Sequence, residues 1–70
     1  MDLTKVALGQ EVIVRDILAD DEELKAFLFS LGCYSGEPIT VISRRRSGCV
    51  VAIKDGRYNI DAQLARAIRV

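Results

Sequence analysis

Few side chains in this 70-residue sequence can do chemistry, and their spacing narrows the choice further. There is no histidine, which excludes Ser–His and Cys–His nucleophilic pairs and every zinc site that needs imidazole. Cys33 and Cys49 are the only cysteines, too few for a disulfide framework and not spaced as CxxC. Such usage fits a reducing compartment, hence a cytoplasmic protein. If both thiolates bound ferrous iron or another transition metal ion, two further Asp or Glu ligands would have to join them. The run Asp20-Asp21-Glu22-Glu23 suits the positive end of a helix dipole, with a metal site as the alternative. Arg44-Arg45-Arg46 is a local positive patch able to grip carboxylates or phosphates bidentately, or simply a charged hairpin edge that discourages strand-to-strand aggregation. No Gly-Lys phosphate cradle and no nucleophile with a base is present, so nothing points to an enzyme.

Charge and length set the outer bounds. Ten basic and ten acidic residues cancel, which removes the electrostatic argument for nucleic acid as an obligatory partner. No apolar stretch approaches the roughly 18–20 residues that span a bilayer, and Met1-Asp2-Leu3-Thr4 is neither a basic n-region nor an apolar h-region. The length suits a single domain, residues 1–70, with a small core. Half the residues are hydrophobic, Trp is absent and Val and Ile are scattered throughout, which favours a mostly β fold.

The elements that must position these groups follow from pattern. Gly9 to Leu18 is β-branched and apolar and reads as strand one. Asp20 then caps a helix, with Glu23 reaching back as in a capping box. Leu24, Phe27, Leu28 and Leu31 recur at i, i+3, i+4 and i+7 and predict the buried stripe of that helix. Gly32 ends it in the left-handed conformation, and Gly36-Glu37-Pro38 turns the chain into a strand over Ile39–Ser43. Arg44 to Gly48 forms a turn, Cys49–Lys54 the returning strand, Asp55-Gly56 a second turn and Arg57–Ile60 another strand. Asp61 caps a short helical turn from Ala62 to about Ala65, and Ala67–Val70 closes the chain as a last strand. Five strands, with one helix between the first two and a helical turn before the last, are too few for a sandwich and right for a small, partly open barrel.

The order of these pieces resembles a known family. Leu28-x-x-Leu31-Gly32-x-x-x-Gly36-x-x-Ile39-x-Val41, then Gly48-x-x-Val51-x-Ile53-x-x-Gly56, then Ala65-x-x-Ile68-x-Val70 are similar to the FeoA family of ferrous iron transport. The resemblance implies an SH3-like β-barrel, shared with the C-terminal domain of iron-dependent repressors. It implies an adaptor rather than an enzyme, acting on the cytosolic GTPase domain of the FeoB ferrous iron transporter, in a family commonly described as metal-binding. A small-barrel nucleic-acid module and a stand-alone metal sensor are the alternative readings.

Against that pattern four features stand out. Phe29 lies nearly opposite the apolar stripe at 100° per residue, where the family usually has a polar residue, and is a candidate partner anchor. Arg44, Arg45 and Arg46 are candidate partner contacts at a hairpin tip. Cys33 stands where the family carries an apolar residue after Leu-Gly, and Cys49 is in phase with Val51 and Ile53, so both read as small buried hydrophobes. Cys33 also belongs to the Gly32–Pro38 connector, and with it to the candidate partner surface. Tyr34 in that connector and Tyr58 on a later strand would line a groove for an extended segment if the fold brings them together. Exposed Phe29 and open barrel edges would also support weak self-association.

Overall fold

The computed structural model describes residues 1–70. Six strands form two sheets. β1 (Glu11–Ile13), β3 (Pro38–Arg45), β4 (Gly48–Ile53) and β5 (Gly56–Asp61) make an antiparallel sheet in the order β1-β3-β4-β5, while β2 (Asp16–Ile17) pairs with β6 (Ile68–Arg69). The two sheets curl around one core of 14 residues, among them Leu3, Val14, Leu28, Ile39, Val51 and Ile68.

The predicted first strand is two strands. Val12 and Val14 face inward, but the next inward residue is Ile17, an odd step that no single flat strand can accommodate. The chain turns a corner instead: the Val14 amide donates to the Glu37 carbonyl (2.9 Å) and its carbonyl accepts from the Gly36 amide (2.8 Å), while the Arg15 amide already donates to Arg69 (2.7 Å) in the other sheet. A 3₁₀ turn over Leu3–Lys5, which the pattern did not predict, precedes the corner and buries Leu3 completely.

Helix α1 (Glu22–Ser30) is capped by Asp21, not Asp20: Asp21 Oδ1 accepts from the amides of Glu23 (2.9 Å) and Leu24 (3.4 Å). With the cap one residue later, Glu23 no longer stands at the capping-box position. Leu28 is fully buried, with Leu24 and Leu31 packed partly against the core. Phe27, predicted to be buried, is 46% exposed. At 100° per residue it falls about 65° from the centre of the Leu24/Leu28/Leu31 seam, and a short helix resting on a curved barrel has no wall there to cover it.

Both hairpin turns are two residues long. Arg45 pairs with Gly48, so Arg46-Ser47 is the first tip and Arg44 and Arg45 lie within β3. Ile53 pairs with Gly56, so Lys54-Asp55 is the second tip, with Lys54 at φ +51, and Gly56 is the first residue of β5 rather than part of the turn. A β-bulge between Val41 and Ser43 turns the apolar Ile42 outward. Helix α2 (Ala62–Ala67) is longer than the single turn expected and takes Ala67 from the last strand; its predicted cap holds, with Asp61 Oδ1 accepting from the Leu64 amide at 2.8 Å.

Candidate functional site

The end of α1 sets the site. The Gly32 amide donates to Phe29 (3.0 Å) and the Cys33 amide to Leu28 (2.9 Å), with Gly32 at φ +89. These are the two bonds of a Schellman cap, whose residue after the glycine characteristically turns back onto the helix as an apolar contact. Cys33 is that residue. It is 1% exposed in the same core cluster as Leu28, so it cannot touch a partner, and its place in the predicted contact surface is corrected.

Tyr34 follows and opens a tight turn closed by the Glu37 amide donating to its carbonyl (3.1 Å), with Gly36 at φ +93. That turn swings the Tyr34 ring back over the helix, where it meets Phe29 at a centroid distance of 4.9 Å and a tilt of 32°. Such pairs add about 0.5–1.5 kcal/mol beyond the area they cover. Even so paired, Phe29 stays 64% exposed, more than any other large hydrophobic side chain of the protein. From the Lys54-Asp55 tip, the Lys54 ammonium sits 5.4 Å from the Tyr34 centroid and 3.1 Å from Glu37 Oε2. The Glu37 carboxylate, and after it Tyr34, hold the Lys54 ammonium above its ordinary range.

Phe29, Tyr34 and Lys54 wall an open groove of about 580 Å³ that also takes in Tyr58 and Asp55, with Glu37 outside it, holding Lys54. Phe29, Tyr34 and Tyr58, far apart in sequence, therefore share one surface, the juxtaposition that the two tyrosines required. The floor is glycine: a Cβ on Gly32 would come within 2.8 Å of the Lys54 chain, and one on Gly56 within 2.3 Å of the Tyr58 hydroxyl. Sequence reasoning did not reach Lys54, Asp55 and Glu37. Their signal was a basic residue at a hairpin tip opposite an acidic one in the connector, which only the register of the strands brings together.

The arginine tip is not part of this groove. Arg44 Nη2 donates to the carbonyls of Leu3 (2.9 Å) and Val6 (2.8 Å), so it ties the 3₁₀ turn to β3, while Arg45 and Arg46 remain exposed. Of the turn residues, Gly32 adopts the left-handed conformation expected of it, Gly36 adopts it too within its turn, and Pro38 begins β3 opposite Ile13.

The two thiols, the candidate metal ligands, are both buried. Burial pushes the Cys33 thiol up to about 11, and burial likewise raises Cys49, a rise that the nearby Arg44 charge opposes. Each must lose its proton to ligate a metal, and burial makes that loss harder than at an exposed thiol. No three Cys, Asp or Glu side chains come together as a ligand set, the acidic run at the start of α1 included.

Comparison with known proteins places this geometry. The family described as FeoA domain matches residues 1–70. A crystal structure of an iron uptake regulatory protein, FeoA, is 25% identical with a TM-score of 0.86, the match covering 97% of this chain and 91% of that one. The FeoA of Stenotrophomonas maltophilia, solved in complex with zinc and described as an SH3 domain protein, is 16% identical with a TM-score of 0.85, over 99% of this chain and 87% of that one. A manganese-dependent transcriptional repressor superposes with a TM-score of 0.88 at 23% identity, over 97% of this chain but 39% of the repressor. No curated protein sequence matches the chain.

Proposed function

Because this chain belongs to the FeoA family, we propose that it acts in ferrous iron uptake as a single adaptor domain without catalytic activity, binding the cytosolic GTPase domain of a FeoB-type transporter through the groove of Phe29, Tyr34 and Tyr58. The observation that carries this reading is the exposure of Phe29. A large aromatic ring held out of the core, braced by a second ring and set on a glycine floor, is what an interface anchor needs: much area, few rotors and a fixed direction. The S. maltophilia structure, described as a possible ferrous iron transport activating factor, is in keeping with this class of function. In this role iron is the cargo of the transporter that the adaptor serves. The cytoplasm is the compartment this role requires, and no helix here is long and apolar enough to cross a membrane.

The test is an amide-resolved NMR titration of the labelled protein with the soluble GTPase domain. Shifts should centre on Phe29, Gly32, Tyr34, Lys54 and Tyr58, and the exposed substitution Phe29→Glu should keep the dispersed spectrum while weakening binding at least about tenfold, the loss of one interface hot spot. A flat titration, or full binding by Phe29→Glu, overturns the assignment.

A further inference from the structure

Arg44, Arg45 and Arg46 line a second cleft, of about 180 Å³, whose other walls include Thr4, Cys49 and Ala65. No carboxylate lines it. The salt bridge of the protein, Lys54 with Glu37, involves none of the three arginines. Arg44 is held by the Leu3 and Val6 carbonyls, which take its two Nη2 donors and leave its Nε and Nη1 donors and its full positive charge at the cleft wall. Two carboxylates flank the cleft, and neither makes an ion pair with the arginines. Asp2, behind Thr4, accepts from both the Thr4 amide (2.8 Å) and the Thr4 hydroxyl. Asp61, beside Arg45 in the adjoining cleft, accepts from the Leu64 amide.

We propose that this cleft binds a phosphate-class oxyanion, either free inorganic phosphate or the exposed phosphoryl group of a lipid headgroup. Three guanidinium groups without a counter-ion around a small concavity suit a compact tetrahedral dianion. Each free fork can present two parallel N–H donors to its oxygens, and the fixed Arg44 supplies charge without further ordering. A lone carboxylate would engage one fork and leave the rest uncompensated. An extended polyanion such as nucleic acid would need a basic track leading away from the cleft, and the aromatic groove with its stacking rings contributes to none. The site is independent of the Phe29 groove, and either can fail alone.

The experiment titrates the ¹⁵N-labelled full chain with sodium phosphate against sodium chloride of equal ionic strength, and separately with phosphatidic acid-containing bicelles against phosphatidylcholine bicelles. Saturable shifts at Gly48, Cys49, Ala62 and the arginine side chains are expected with phosphate, with phosphatidic acid, or with both, and the responding arm identifies the source. The double substitution Arg45→Ser and Arg46→Ser, at exposed positions, should weaken this at least about tenfold. Arg45→Lys with Arg46→Lys, which keeps charge but loses the forks, should fall between, and Arg66→Ser, beside the acidic start of α1, should change nothing. Shifts that match chloride and never saturate in either arm, or saturation unaltered in the double serine variant, overturn the proposal.

Discussion

The substitution of glycine by alanine at two positions of one hairpin should separate a backbone requirement from a side-chain one. Gly48 starts β4 opposite Asp61, and a Cβ there would lie 2.0 Å from the Ile60 carbonyl oxygen and 2.8 Å from the Asp61 Cα. Both are backbone atoms of the paired strand, so the methyl fits only if β4 and β5 part where α2 begins. Overpacking of this kind costs about 1–3 kcal/mol, and a contact this short belongs at the upper end. Gly56 starts β5, and its Cβ would meet the Tyr58 hydroxyl at 2.3 Å and the ring atoms Cζ and Cε2 at 2.6 and 2.8 Å, but these form the outer end of a half-exposed side chain able to rotate away. The penalty there should be under about 1 kcal/mol, partly offset by the lower unfolded-state entropy of alanine. A core this small leaves about 3–5 kcal/mol of total stability. Urea unfolding with a slope near 1 kcal/mol/M should therefore show the midpoint of Gly48→Ala fall by about 2–3 M and that of Gly56→Ala by less than about 1 M. Gly56→Ala, though stable, should still weaken partner binding, because the displaced Tyr58 closes the groove. A Gly48→Ala midpoint within about 0.5 M of the parent, well below what overpacking predicts, would refute the close approach of the two strands.

Other consequences can be checked with the same material. Arg44→Ala removes two charge-assisted hydrogen bonds that are partly solvent-exposed, an expected loss of about 1–2 kcal/mol. It should lower Tm by about 5–10 °C and speed hydrogen exchange at Lys5 and Val6 before the rest of the chain. Leu28→Ala, at the single fully buried position of α1, should cost about 2–5 kcal/mol and leave the protein largely unfolded at 37 °C, seen as lost near-UV dichroism. Because the Cys33 thiol titrates near 11 when folded against a usual value of 9.0, the unfolded chain releases that proton first as pH rises. Stability should be unaffected by this group below about pH 9 and then fall by up to about 1.4 kcal/mol per pH unit towards pH 11, a slope that Cys33→Ala should flatten in urea titrations.

Much of the fold is legible in the residues because local chemistry and burial agree along most of the chain. Gly32 announces left-handed backbone, Asp61 announces a helix start, and the alternation of Cys49, Val51 and Ile53 announces an inward face. What was not legible depends on partners distant in sequence. Four acidic residues in a row offer two caps, and only the docking of Leu28 selects Asp21 over Asp20. Asp55-Gly56 has the stronger turn composition, yet Gly56 is needed beneath the Tyr58 ring, so the strained positive φ falls on Lys54 instead. The corner at Val14 did carry a signal, the odd interval between inward residues Val12, Val14 and Ile17, which a continuous β-branched run conceals. The candidate site divides in the same way. The exposure of Phe29 follows from helical phase alone, whereas its contact with Tyr34 depends on how the Schellman cap and the Tyr34–Glu37 turn redirect the chain.

That redirection explains why the groove is suited to recognition rather than only tolerated by the fold. Its parts hang on backbone features that the core already enforces: the left-handed Gly32 and Gly36, the tip at Lys54 and the first residue of β5. A partner therefore need order only the Phe29 ring and the Lys54 chain, each already biased by Tyr34, and the entropy cost of binding is small. Area sets the remaining condition. A stable interface covers about 800 Å² per partner, roughly a fifth of the 4432 Å² that this protein exposes. The groove alone is narrower than that, so a tight complex must extend beyond it, and Phe27, 46% exposed about 160° round α1 from Phe29, tests whether it wraps the helix. The failure of Phe27 to enter the core then has a use: Phe27→Ser should leave folding intact and weaken partner binding by less than Phe29→Glu does. Equal binding by Phe27→Ser and the parent would confine the interface to the groove, and with it predict a weak, transient complex.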